Sequence, residues 1–167
     1  MGAPSALSLA AIAPELITQA AFHRSGSSAA IDGVETARPA AALPQSGVGS
    51  LFTVTGKIKV LDIVGTVVTG IQNQANNTKL QAKASGQTAV DMCATADVAN
   101  KAANIMFSIT GVAATALQSG FAVLGMSQPW IVQDGTIDLS CSASNTGTVK
   151  WTLRWIPLEA GATVVAA

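Results

Sequence analysis

Between Thr136 and Trp155 the chain alternates between apolar and polar residues, and no other feature restricts its fold so tightly. Ile137, Leu139, Cys141 and Ala143 take the odd positions, against Thr136, Asp138, Ser140 and Ser142. After Ser144-Asn145-Thr146-Gly147 the pattern resumes, with Val149, Trp151, Leu153 and Trp155 against Thr148, Lys150, Thr152 and Arg154. A period of two places one face in a core and the other in water, which is the signal of half-buried strands. The Asn and Gly between the runs predict a tight hairpin. Asp134-Gly135 predicts a further turn, which makes Trp130–Gln133 the first strand of a three-stranded meander.

Upstream the same strand pattern recurs. Phe52, Val54, Ile58 and Val60 share a face with Gly56 between them, so 50–60 reads as one long strand with a bulge or bend at the glycine. Its outward lysines, Lys57 and Lys59, suit a protected sheet edge. Ile63, Val67 and Ile71 continue the alternation, Gln72 to Thr78 is a polar loop, and Leu80 with Ala82 marks a short strand. Val90 to Ala94, Ile105 to Ile109, Phe121 to Gly125 and Ala162 to Val165 read as further strands, and Thr95 to Asn100 as a single helical turn. Strands at this spacing with turns between them predict an all-β fold, an antiparallel β-sandwich or jelly roll, over residues 50–167.

Residues 1–49 have a different character. They are rich in Ala, Ser, Pro and Gly, with prolines at 4, 14, 39 and 44. Pro14, Glu15 and the spacing of Leu16, Ile17, Ala20 and Ala21 predict one short helix near 14–22. Ala37 to Pro44 reads as extended linker, because residues before proline avoid the α region. This segment is an N-terminal arm. Ordering it costs ~1–2 kcal/mol per residue in backbone entropy. Its few large apolar residues offset that only by packing on another surface, so Leu7, Leu9, Ile12, Leu16, Ile17 and Phe22 are the candidate contacts with a neighbouring subunit. Trp130, following Pro129 at a strand start, is a further candidate, since Trp is enriched at interfaces. The structural core is expected at Phe52, Val54, Ile58, Ile137, Leu139, Cys141, Val149, Trp151, Leu153 and Trp155.

Charge narrows the partners. Charged residues make up 11% of the 167, and nine basic and nine acidic side chains cancel. Soluble domains usually carry ~25% charged residues, and net charge near zero promotes association. The balance favours a chain that lives in a homo-oligomer or a larger assembly. It excludes the clustered Lys and Arg of a nucleic-acid surface.

Chemistry is sparse. The single histidine, His23, lies in the arm and has no serine in a nucleophile-elbow context to serve. One His with Cys93 and Cys141 cannot fill a four-ligand zinc site, and the two cysteines read as buried thiols in strands. Asp134 is explained by its turn, Asp138 by alternation and Asp97 by a cap. Gly47-Val48-Gly49 lacks the third glycine of a nucleotide loop. Asn76-Asn77-Thr78 matches a glycosylation acceptor by chance composition. No apolar run is long enough to span a membrane, and Leu9 to Ala13 lacks the basic flank of a signal peptide. No enzyme activity and no cofactor are expected.

Three stretches, Gly49–Val60 (GSLFTVTGKIKV), Val90–Val98 (VDMCATADV) and Gly135–Ala167, the last closing on Trp151, Pro157-Leu158-Glu159 and Gly161-Ala162, resemble a group of small structural proteins encoded in the virion-gene blocks of tailed bacteriophages. The likeness covers residues 49–167 and rests on the strand-and-turn pattern. It implies a virion component with a compact, trimeric β domain, made in the host cytoplasm, and it carries over no catalytic residue. A capsid decoration or cement protein, whose arm clamps the major capsid protein or another virion protein, fits the arm and the low charge. A tail, collar or fibre component and a glycan- or receptor-binding module are the alternatives, the last opposed by the absence of Tyr and the scarcity of exposed aromatics.

Overall fold

A computed structural model describes residues 33–167. The expected helix near 14–22 and the arm contacts Leu7, Leu9, Ile12, Leu16, Ile17 and Phe22 lie outside the described residues, as does His23. The described chain forms twelve strands in two antiparallel sheets: β1 (Val34–Ala42), β2 (Val48–Thr55), β3 (Ile58–Thr69), β4 (Asn77–Ala84), β5 (Val90–Asp91), β6 (Ala96–Asp97), β7 (Met106–Ser108), β8 (Gln118–Gly120), β9 (Trp130–Val132), β10 (Gly135–Cys141), β11 (Thr148–Pro157) and β12 (Thr163–Ala166). The first sheet runs β1-β11-β3-β7-β8 with β9 also on β3. The second runs β12-β2-β10-β4-β5 with β6 also on β4. One hydrophobic core draws on both sheets.

The alternating positions behave as a half-buried strand requires. Phe52, Val54, Ile58, Ile137, Leu139, Cys141, Val149, Trp151, Leu153 and Trp155 are all buried. Their pairing differs from the expectation. β10 and β11 do not form a hairpin, because β10 is paired with β2 and β4 while β11 is paired with β1 and β3 in the other sheet. Nor is there a meander, since β9 pairs with β3. Two strands that face each other across a core show the same alternation as two strands side by side. Gly56 likewise marks a crossing, not a bulge: it sits at φ 71° in the turn that takes the chain from β2 into β3 of the other sheet. Neither strand is an edge, so Lys57 and Lys59 have no edge to protect.

The β unit begins at Val34, not at residue 50. The stretch read as linker is the edge strand β1, which pairs with β11 from Val34↔Trp155 to Ala42↔Thr148. Its register shifts between Arg38 and Ala41, around Pro39. An edge strand with a bulge is where a sheet tolerates proline, and β1 is too exposed along its length to show alternation. Three shorter expectations also change. Thr95 to Asn100 contains β6 and a turn instead of a helical turn, and Phe121 to Gly125 is a loop after β8. Cys93 lies between β5 and β6, where its Sγ accepts the Leu80 N–H of β4 at 3.4 Å.

Most connections cross between the sheets, and they gather at the two ends of the strands. At one end are the links 43–47, 70–76 and 142–147, tied by two buried asparagines. Asn76 Nδ2 donates to Ala143 O at 3.0 Å and to Asn145 Oδ1 at 2.8 Å. Its Oδ1 accepts the backbone N–H groups of Ser142 and Ala143. Asn145 Nδ2 donates to Gln74 O at 2.7 Å and Gln72 O at 3.2 Å, and Gln45 Nε2 donates to Asn145 O and Leu43 O. Asn145 is therefore a cross-link between links, not the positive-φ turn residue its neighbours suggested. At the other end Asp134 accepts the Gly56 N–H, and Glu159 accepts the Lys57 N–H while pairing with its ammonium at 2.9 Å. That ion pair is exposed and contributes at most ~1 kcal/mol. Along the β1/β12 side, Trp155 Nε1 donates to Thr36 Oγ1, which donates to Val164 O and so joins the sheets.

At the centre of the first sheet Gly65 stands in register between Trp151 and Phe107. With no side chain at 65, the Trp151 indole lies over the glycine and stacks on Phe107, ring centroids 6.3 Å apart at 21°. A methyl group at 65 would sit 2.8 Å from the indole. Gly65→Ala should therefore lower unfolding free energy by roughly 1–3 kcal/mol, the usual effect of overpacking a core. A urea midpoint equal to that of the parent would refute this packing. Asn76→Ala should lower it by about 2–4 kcal/mol, because it orphans the Ala143 N–H and Asn145 Oδ1 and leaves the Ser142 N–H with the Asn77 carbonyl alone. Asn76→Asp keeps the acceptor but loses both donors, so it too should destabilise; a neutral effect of both changes in equilibrium unfolding would contradict the network.

Candidate functional site

The outer face of the second sheet carries the feature least explained by folding. β10 is its central strand, and alternation turns Thr136, Asp138 and Ser140 away from the core. Asp138 is nonetheless only 3% exposed, and its Oδ1 has no hydrogen-bond partner. It lies in register between Gln81 of β4 and Ser50 of β2, where a bulge displaces Leu51 from the ladder. A shallow groove of about 740 Å³ opens beside it, lined by Ser50, Thr53, Thr55 and Thr136 and bounded by Lys83 and Asp134. Asp138 contributes to the wall of this groove.

Two donors beside Asp138 in the sheet are engaged elsewhere. Gln81 Nε2 donates to Asp91 Oδ1 at 2.7 Å, and Lys79 Nζ donates to Asp91 Oδ2 at 2.7 Å. These bonds from Lys79 and then Gln81 hold the Asp91 carboxyl below the ordinary carboxylate range. Asp97 is also held below it, by the N–H groups of Asn76 and Ala99. The two cysteines move the other way, since burial raises both thiols. They are free and buried, so neither acts as an exposed nucleophile.

A second concave region lies where β9 approaches the β4–β5 edge. Trp130, Ile131, Val90 and Thr88 help to line a cleft of about 420 Å³. Ile131 is 64% exposed and Val90 55%, whereas Trp130 is half-buried and donates its Nε1–H to Gly111 O at 2.9 Å. Trp130 thus packs partly on the core and forms one wall of the cleft, beside exposed apolar neighbours.

Asp138 was assigned to alternation in the sequence, and alternation does place it on the outer face. What the sequence did not signal is its burial there, beside the register shift against β2. Asn76 of the glycosylation-like triplet is fully buried with both amide atoms engaged, so it offers no acceptor for a glycan. Among the described residues no group of three or more His, Cys, Asp or Glu is placed to hold a metal ion. No protein-family model, curated protein or solved structure matches the chain.

The depressed carboxyls set a pH dependence. A carboxyl whose folded pKa lies below its unfolded value of ~4 contributes stability that is complete above that value and is lost as pH falls through the folded one. The urea midpoint should therefore hold steady above about pH 5 and decline below about pH 4. An Asp91→Asn/Asp97→Asn chain should show a shallower acid decline, and an unchanged acid slope would count against these two groups.

Proposed function

We propose that this chain is a non-enzymatic structural component of a tailed-bacteriophage virion, a capsid decoration protein that assembles as a homotrimer and attaches through its N-terminal arm. Support comes first from topology. β1, β11, β3 and β7 form one sheet and β2, β10, β4 and β5 the other, so the chain alternates sheets from β1 to β4 and again from β9 to β12. That order supports reading the fold as a β-sandwich of the jelly-roll kind, an architecture used in viral capsids and in lectins. Fold alone does not define function.

The observation that carries the reading is the pairing of exposed apolar groups with very little charge. Phe121 is 74% exposed, Leu124 70%, Ile131 64% and Val48 60%, on a chain with 11% charged residues. Such a surface is poorly suited to a free monomer and well suited to contacts with copies of itself and a shell. The arm supplies further apolar residues at Leu7, Leu9, Ile12, Leu16, Ile17 and Phe22. It ends at the start of β1, so the attachment segment is 1–32 and not 1–49.

Removing residues 1–32 should leave a folded β unit that no longer attaches to virions in a co-sedimentation assay. Removing residues 1–45 should unfold it as well, because β1 pairs along β11 and its Thr36 receives the Trp155 indole. Attachment of the 1–32 deletion at the full copy number would overturn the role of the arm. Absence of the full chain from purified virions would overturn the whole reading.

A further inference from the structure

Asp138 Oδ1 is the one buried side-chain polar atom without a partner among the described residues. A carboxylate is an acceptor only, and a buried one is stabilised by donors or by an opposite charge. Here Gln81, in register with it, and Lys79 both turn to Asp91, and Asp138 lines a groove with hydroxyl groups and with Lys83 at its boundary. Asp134 adds a second carboxylate at the groove's boundary, one oxygen of which already accepts the Gly56 N–H.

From this we infer that the groove receives an arginine side chain of a partner protein, with its guanidinium paired to Asp138. The inference deepens the assembly reading above and rests on it. Arginine fits better than lysine, because its planar fork offers five N–H donors and is less strongly hydrated than an ammonium. One edge of the fork matches the carboxylate, and the remaining donors meet the hydroxyls of Ser50 and Thr136. A neutral sugar fits less well, since no aromatic side chain lines the groove for a ring to stack on. Both arginines of the described residues belong to the other sheet. Of the arginines in the described residues, Arg38 donates to Ala167 O, and Arg154 stands in register between Glu35 and Asp62.

The test is a titration of the full chain, labelled with ¹³C and ¹⁵N, against Nα-acetyl-arginine amide. Nα-acetyl-citrulline amide serves as the neutral probe of the same shape. Saturable shifts of the Asp138 side-chain carboxyl carbon and of the amides of residues 134–140 are expected for the arginine probe, with Kd of about 1–10 mM. The citrulline probe should bind at least about tenfold more weakly, having lost the charge assistance. Asp138→Asn should abolish the response. Unsaturable shifts, equal binding of the two probes, or an unchanged response in a folded Asp138→Asn chain would each overturn the inference. If that variant fails to fold, the comparison of probes on the parent chain decides alone. A failed titration with virion attachment intact removes the arginine and leaves the assembly reading standing; a successful titration without attachment does the reverse.

Discussion

Links that cross from one sheet to the other run where no ladder can pair their peptide groups, and the fold depends on how those groups are satisfied. Asn76 is the centre of the answer at one end. Its single amide joins the 70–76 link to the 142–147 link through both its donor and its acceptor. Asn145 and Gln45 extend the same bonding to the 43–47 link. A buried polar network of this kind is stabilising only when every member is satisfied, and here the amides of both asparagines are engaged. The opposite end uses carboxylates, Asp134 and Glu159, to hold the Gly56–Lys57 turn. These contacts let two sheets share a core without any hairpin between the two central strands.

Within that frame the core is organised by a missing side chain. Gly65 leaves room for the Trp151 indole, which bridges β3 and reaches Phe107. A glycine in a strand normally weakens it. Here the large neighbouring ring covers the exposed backbone, so burial of the aromatic surface offsets the lost packing at 65. The same sheet is joined to its partner through the Trp155–Thr36–Val164 relay. The edge strand β1 is thereby part of the folded unit in spite of its linker-like sequence.

The outer faces of the two sheets differ in how their charged side chains are partnered. On the first, Arg154 stands in register between Glu35 and Asp62, an arrangement in which opposite charges lie across neighbouring strands. On the second, Asp138 occupies the central strand, while Lys79 and Gln81 beside it are bonded to Asp91. One face balances its charge within the chain. The other holds a carboxylate oxygen without a partner above a hydroxyl-lined groove, and exposed apolar groups such as Phe121 and Leu124 lie on other loops.

Which residues enter the core was legible from the sequence, because the side-chain period of a strand is local and independent of its partners. That is why Ile137, Leu139, Cys141, Val149, Trp151, Leu153 and Trp155 were all identified by alternation and all are buried. The low charge, too, was a property of composition and needed no coordinates. Strand partners were not legible, since side-by-side strands and strands facing across a core bury the same positions. Only the tertiary structure assigned β10 and β11 to different sheets, turned Gly56 from a bulge into a crossing and drew Val34–Ala42 into the fold. It alone also made Asp138 a buried group. The burial of an outward residue is decided by the bulge and side chains of neighbouring strands, which come together only when the distant segments 48–55, 77–84 and 135–141 are paired.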